Sequence, residues 1–290
     1  MKKLLIIGKG FLGNSLSKLA IKKFDVFEAS LKHGLFVDIQ KIQSIEKLIK
    51  KHDPDIIINC AAITNIEKTE NDTQKLFLVN AQGPGNIAKI AKKYSKKFIH
   101  ISTDSVFDGN KKKYNELDLP NPLNEYSKSK FQGEQLVLEN NSNSIIVRTN
   151  FYGYDENGKF LFNWIINQLN NKKSIIGFED IIFNPLEINN LSELLLELCL
   201  IEFKGIIHLA GDEIFSKFDF IEKIALSLNL DRKLVIRGNS DQIKLIAKRP
   251  KNTTLDNSIS KKILSTKIKK LNEILSENYD EYKKIERGCP

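Results

Sequence analysis

The feature that most constrains this chain lies at its start. Leu4-Leu5-Ile6-Ile7 is a short apolar run that leads directly into Gly8-Lys9-Gly10-Phe11-Leu12-Gly13. Such a run reads as a buried strand, and amphipathic sequence follows it, so the glycines occupy a strand-to-helix turn. Gly8 permits the tight turn, Gly10 lets the backbone approach a bound group, and Gly13 lets helix and strand pack closely. The helix N-terminus then offers unpaired N–H groups and a partial positive charge. That arrangement suits a pyrophosphate, so Gly8, Gly10, Phe11, Leu12 and Gly13 are expected to cradle a dinucleotide.

Strand-like runs and helical spacing alternate through the first half. Strands are predicted at 26–29, 55–59, 98–102 and 144–148, and helices at 13–23, 42–51, 73–93 and 127–139. Parallel strands joined by helical crossovers make an α/β fold, a Rossmann-type doubly wound parallel sheet. After Arg148 the pattern loosens into helices at 160–169, 192–201, 218–228 and 258–284, with a short strand at 206–209 expected to rejoin the sheet. The expected division is a dinucleotide-binding domain over 1–150 and a smaller, mainly helical substrate subdomain over 151–290. No Gly/Ser/Pro-rich linker separates them, so a cleft between two packed halves is expected.

The end of the second strand bears on the cofactor. It reads Asp25-Val26-Phe27-Glu28-Ala29-Ser30-Leu31-Lys32. With Ala29 at the tip, no carboxylate repels a 2′-phosphate, and Ser30 and Lys32 can bind one. With Glu28 at the tip, a ribose hydroxyl is favoured instead. NADPH is the expected cofactor and NADH the alternative.

Chemistry is legible further along. Ser102-Thr103-Asp104 closes the strand at 98–102, and Tyr126 opens the next helix with Lys130 four residues on, hence on the same face. Reducing a ketone creates an alkoxide that must receive a proton. A phenol beside an ammonium is expected to have a lowered pKa and to act as acid near neutrality, with a Thr103 hydroxyl holding the carbonyl oxygen. Tyr279 and Lys283 share the spacing but follow no strand-end hydroxyl, so they read as a solvated pair.

Taken together, Asn59-Cys60-Ala61-Ala62-Ile63-Thr64, Val79-Asn80, Ser102-Thr103-Asp104-Ser105-Val106-Phe107-Asp108-Gly109, Pro122-Leu123-Asn124, Tyr126-Ser127-Lys128-Ser129-Lys130, Gly133-Glu134, Arg148-Thr149, Asn184-Pro185 and Arg249-Pro250 resemble the dTDP-4-dehydrorhamnose reductase family, extended short-chain dehydrogenases acting on sugar nucleotides. The resemblance spans nearly the whole chain. It implies Thr103, Tyr126 and Lys130 as the catalytic residues, and Asn59, Cys60, Ala61 and Ala62 along the cofactor crevice, with Asp38 and Ile39 beside the adenine. It also implies Thr64, Ser102, Thr103, Asp104, Phe151 and Tyr152 at the sugar, and a nucleotide-sugar substrate whose 4-keto group is reduced. The chain departs from the pattern in three places. The glycine turn is one residue shorter than the usual GxxGxxG. Phe151 stands where a tryptophan is common, which leaves the sugar open. Asn14-Ser15 replace an acid that in some relatives holds a metal, so no metal is expected. Ser105 stands where dehydratases of this type carry a second acid, which counts against dehydration; a sugar-nucleotide epimerase or dehydratase on the same fold is one alternative. A non-catalytic cofactor-binding subunit, as in the family-like beta subunit of methionine adenosyltransferase, remains the other alternative.

The remaining composition adds limits. The net charge is +9, with lysines spread along the chain, so charge alone supports no nucleic-acid surface. Cys60, Cys199 and Cys289 form no CxxC, which fits a reducing compartment. No apolar run reaches membrane-spanning length, so a cytoplasmic protein with no membrane partner is expected; a homodimer is compatible with these features. His33, His52, His100 and His208 read as non-ligands, the last two as satisfied core residues. Phe160, Phe162 and Trp164 read as core.

Overall fold

Strand-forming Ile, Leu and Val runs build a seven-stranded parallel sheet in the computed structural model, which describes residues 1–70, 73–155, 160–243, 246–278 and 282. In chain order the first lobe contains β1 (Lys3–Ile7), α1 (Phe11–Ala20), β2 (Asp25–Ser30), β3 (Leu35–Phe36), α2 (Ile42–His52), β4 (Ile56–Asn59), α3 (Ile66–Thr69) and α4 (Thr73–Phe77). A π-helical turn, Leu78–Gln82, then leads into α5 (Gly83–Lys93), β5 (Lys97–Ile101), α6 (Glu125–Asn140) and β6 (Ile145–Thr149). The chain continues through β7 (Phe151–Tyr152), α7 (Leu161–Asn170), β8 (Ile175–Phe178), β9 (Ile182–Phe183), β10 (Leu186–Glu187), α8 (Ile188–Leu198), β11 (Gly205–Leu209), β12 (Phe215–Ser216), α9 (Lys217–Ser227), β13 (Val235–Gly238), α10 (Ser258–Ile263) and α11 (Leu271–Glu277).

The sheet order is β11-β6-β5-β4-β1-β2-β3. The order reverses between β1 and β4, so a crevice opens at their carboxyl ends, where open α/β sheets bind ligands. Both faces are covered. Leu4, Ile6, Ile58 and Val147 pack under α1 and α8, and Leu5, Ile57, Phe98 and Ile146 pack under α2 and α5. As expected, β11 joins the sheet, with Gly205 through Leu209 in register with Ile145 through Thr149. The Ser15 hydroxyl bonds Asn189 (2.9 Å) and meets Ser192 (3.1 Å), which ties α1 to α8, so residues 188–209 lie on the nucleotide lobe.

The second lobe has its own core of Tyr152, Phe162, Phe183, Phe220, Ile224 and Leu271. It is less helical than expected, because three short strand pairs, β10–β7, β12–β9 and β13–β8, frame it. The helix expected over 258–284 is interrupted. The Glu197 carboxylate accepts from the backbone N–H of Ser265 and Thr266, and Asn190 accepts from Lys269 N–H. These side chains on α8 capture amides that a continuous helix would need. The expected helix over 73–93 likewise contains the π turn. Tyr279 and Lys283 lie outside the described residues. No helix among the described residues is long and apolar enough to cross a membrane.

Candidate functional site

The glycine turn has the geometry its spacing predicts. Gly8 sits at φ +105, and a Cβ there would meet Ala61 N at 2.5 Å, so the turn lies directly against the Cys60-Ala61 segment after β4. At Gly13 a Cβ would come within 1.9 Å of the Gly8 carbonyl oxygen. At Gly10 it would meet nothing within 4 Å. The turn is therefore closed toward the sheet and open outward at Gly10. Gly10 is the N-cap of α1 and makes no side-chain cap bond, and the first turn carries no acid. Unsatisfied amides beside open space form an anion cradle, so these residues fit a dinucleotide pyrophosphate. The shorter glycine spacing leaves this geometry intact.

The strand register settles the tip of β2. Ala29 pairs with Ile7, the last residue of β1, and Ser30 ends the strand. Glu28 lies one position inside, and its carboxylate is held by Lys9 of the glycine turn at 2.9 Å. The Ser30 hydroxyl accepts from His33 N–H (2.8 Å) and Lys32 N–H (3.3 Å), which folds Lys32 into an exposed turn at the tip. Asp38 is partly exposed, and its carboxylate accepts from Gln40 N–H. Ile39 is buried against the place a Gly83 side chain would occupy, so it shapes the crevice wall from behind.

Thr103 and Tyr126 meet. Asn124 caps α6 by accepting from Ser127 N–H at 2.9 Å, which fixes the helix start two residues before Tyr126. The half-buried Tyr126 phenol lies near enough to the Thr103 hydroxyl for that hydroxyl to favour its ionised form. Burial pushes the phenol up to about 12, and the Thr103 hydroxyl opposes the rise. This reverses the lowered pKa expected from the spacing. Lys130 is only 2% exposed, and its ammonium donates to the Ile101 carbonyl at 2.7 Å, with His100 Nε2 at 3.4 Å and the Cys60 thiol close by. Burial brings Lys130 down to about 8. The phenol is thus a hydrogen-bond donor through the neutral range, with a buried and largely protonated ammonium four residues along.

Several supporting side chains escaped the functional reading of the sequence. The Ser102 hydroxyl donates to Glu134 at 2.5 Å, and Arg148 grips the same carboxylate at 2.7 Å, with both charged side chains buried. Ser102 therefore spends its hydroxyl on a buried partner, where a sugar contact was expected. Asp104 is also turned inward: it accepts from Thr103 (3.1 Å), Ser105 (3.2 Å) and Asn150 (2.7 Å). It holds the strand-end turn rather than a substrate. Buried Asn80, in the π turn, accepts from Ile63 N–H (2.8 Å) and donates to the Ile63 carbonyl (2.9 Å) and to Ser129 (3.1 Å). A Cβ on Gly133 would come within 2.3 Å of the Asn80 carbonyl, so α6 packs directly on that turn. Asn80 thereby locks the crevice segment to the residue before Lys130. Asn59 does similar work, accepting from Ala61 N–H and contacting His100 Nδ1 at 3.2 Å.

The sugar-side expectations divide. Thr64 is exposed beyond Ala62. Phe151 lies 6.2 Å from the Phe11 ring, and Phe11 stacks on Phe160 at 4.3 Å, so these aromatics border the glycine turn. Tyr152 is 5% exposed and packs edge-on against Phe220 at 5.0 Å, in the second core and not at the crevice surface. Register explains this, since adjacent strand residues point to opposite faces. Trp164 is 43% exposed, not core, whereas Phe162 is fully buried. His208 is buried with neither ring nitrogen bonded among the described residues, so it is not the satisfied core residue expected. Lys217, which no sequence motif marks, begins α9 near Asp104.

Comparisons with known proteins agree with this geometry. The family model described as the RmlD substrate binding domain matches residues 1–284. A dTDP-4-dehydrorhamnose reductase of Aggregatibacter actinomycetemcomitans is 30% identical over 272 residues, which cover 88% of this chain and 91% of that protein. The subunit beta of methionine adenosyltransferase 2 from Bos taurus is 30% identical over 231 residues, covering 76% of this chain and 68% of that one. The crystal structure of dTDP-4-dehydrorhamnose reductase from Bacillus anthracis str. Ames in complex with NADP has a TM-score of 0.89 at 28% identity, covering 97% of this chain and 100% of that one. With the family's model matched almost end to end on a chain whose fold and crevice agree with it, this protein belongs to the RmlD substrate binding domain family.

Proposed function

We propose that the chain is an NADPH-dependent reductase of the 4-keto group of a nucleotide-activated 6-deoxyhexose, as in dTDP-4-dehydrorhamnose to dTDP-rhamnose. The single observation that carries the reading is the approach of the Thr103 hydroxyl to the Tyr126 phenol, with Lys130 four residues along the same helix and anchored on the Ile101 carbonyl. The bound nicotinamide supplies hydride to the carbonyl carbon. Thr103 and Tyr126 hold the carbonyl oxygen, and Tyr126 delivers its proton as the alkoxide forms, giving the hydroxyl and a phenolate. Lys130 is the nearby cation that steadies the phenolate and returns a proton. Its anchor on the Ile101 carbonyl fixes the ammonium at the crevice floor beside Cys60. Lys9 neutralises Glu28, and Lys32 and Ser30 stand at the β2 tip, which favours the 2′-phosphate of NADPH over NADH. In this reading residues 1–150 with 188–209 hold cofactor, and the second lobe supplies the sugar side.

The test mixes the protein with NADPH and dTDP-4-keto-6-deoxyglucose and follows loss of absorbance from the reduced cofactor. Oxidation dependent on the sugar is expected. A second reading, a cofactor-binding subunit without turnover, is supported by the likeness to methionine adenosyltransferase 2 subunit beta. Absence of oxidation with every keto sugar, alongside intact NADPH binding, would favour it.

A further inference from the structure

Lys217 comes from the second lobe and lies near Asp104, the residue after Thr103. It is the first residue of α9 and follows the β12 strand, which pairs antiparallel with β9. Its ammonium lies over the Phe183 ring, 3.3 Å from the centroid. It is close enough to Asp104 to feel that carboxylate's charge. Yet both Asp104 oxygens are taken, by Thr103 and Ser105 on one and Asn150 on the other. Among the described residues no hydrogen bond or ion pair reaches the Lys217 ammonium. An ammonium has three donors, and a ring face satisfies none of them as a hydrogen bond does. The side chain is partly exposed, so these donors are open to a bound ligand.

We propose that Lys217 is a specificity-determining residue that donates to a hydroxyl oxygen of the substrate's hexose ring. The inference rests on the reductase reading for the identity of the ligand. Two observations select the sugar over the diphosphate. Asp104 adjoins Thr103 in the chain, so Lys217 lies by the reacting end of the substrate. Asp104's carboxylate also offsets the ammonium's charge, so the local field is close to neutral, which suits a hydroxyl better than a diphosphate. The second lobe thereby reads the sugar while the first lobe performs the reduction.

The experiment compares wild type with Lys217→Met, which keeps the stem over Phe183 and removes the donors. Calorimetric titration with dTDP-glucose, which carries the ring hydroxyls without the reactive ketone, is set beside titration with dTDP alone. A lost charged hydrogen bond predicts about tenfold to hundredfold weaker dTDP-glucose binding. Affinities for dTDP and NADPH should stay within about twofold of wild type. In turnover, KM for the keto sugar should rise while kcat is largely kept, the mark of a contact made equally in ground and transition states. Unchanged dTDP-glucose affinity would overturn the proposal. An equal loss for dTDP would overturn it too, by assigning Lys217 to the diphosphate. Failure of wild type to oxidise NADPH while the dTDP-glucose difference persists would sink the reductase reading and leave the sugar contact standing.

Discussion

The two lobes each bring a lysine to the region of Thr103 and Asp104, and the lysines differ in what the protein gives them. Lys130, on the first lobe, has the Ile101 carbonyl at 2.7 Å and His100 beyond it. Lys217, on the second, has the face of Phe183 and the charge of nearby Asp104, with no hydrogen-bond partner for its ammonium among the described residues. Burial draws both down to about 8. A lysine already held by backbone belongs to machinery that is assembled before substrate arrives. A lysine against a ring, with donors unused, is completed by a ligand. The first lobe is therefore organised for one reaction, and the second for choosing what undergoes it.

The largest effect expected from breaking this comparison is at Tyr126. Tyr126→Phe removes the proton donor and should lower kcat by roughly a hundredfold to ten-thousandfold, with NADPH affinity unchanged by fluorescence titration. A variant that retains near-normal kcat would remove the proton-donor role. Next is Glu134→Ala, which strands buried Arg148 and the Ser102 hydroxyl. Loss of one partner of a buried pair should cost about 3–5 kcal/mol in denaturant unfolding. A cost under about 1 kcal/mol would show that this network does not hold the first lobe.

A third prediction concerns pH. Lys130 is near 8 folded and 10.5 as its ordinary value. The unfolded chain thus binds its proton more tightly, and stability should rise with pH between those values. Below pH 8 both states are protonated and the penalty is constant. The full contribution is on the order of 3 kcal/mol at about 1.4 kcal/mol per unit. Lys130→Met should reduce the rise measured between about pH 8 and pH 9 without abolishing it, since Lys217 is lowered to about 8 as well. A slope identical to wild type would show that Lys130 is not desolvated.

The smallest effect is expected at the glycine turn. Gly10→Ala places a methyl in space that is empty in the protein, so stability should change by less than about 1 kcal/mol. The same methyl occupies the proposed phosphate position and should weaken NADPH binding about tenfold, a loss of about 1.4 kcal/mol. Undiminished cofactor affinity would move the phosphates elsewhere.

These contrasts mirror how much could be read in advance. Strand runs such as Ile56 to Ile58 and the glycine spacing were legible because local sterics dictate them: only glycine tolerates φ +105 at position 8, or a carbonyl 1.9 Å from a would-be Cβ at position 13. Tyr126 and Lys130 were legible because helical spacing is local too. The direction of Ser102 and Tyr152 was not, since each depends on a partner brought from distant sequence: Glu134 and Phe220. The π turn at Asn80 was hidden for the same reason, since Gly133 approaches it from another helix.

By itself the sequence determined the parallel α/β sheet, the glycine turn and the placing of Tyr126 and Lys130 on one helix, all set by short-range periodicity and backbone sterics. Only the tertiary structure decided that Glu28 is neutralised by Lys9, that the Tyr126 phenol is raised and not lowered, and that Lys217 faces Asp104. Those outcomes depend on desolvation and on charges far apart in the chain, and neither exists until the lobes have packed.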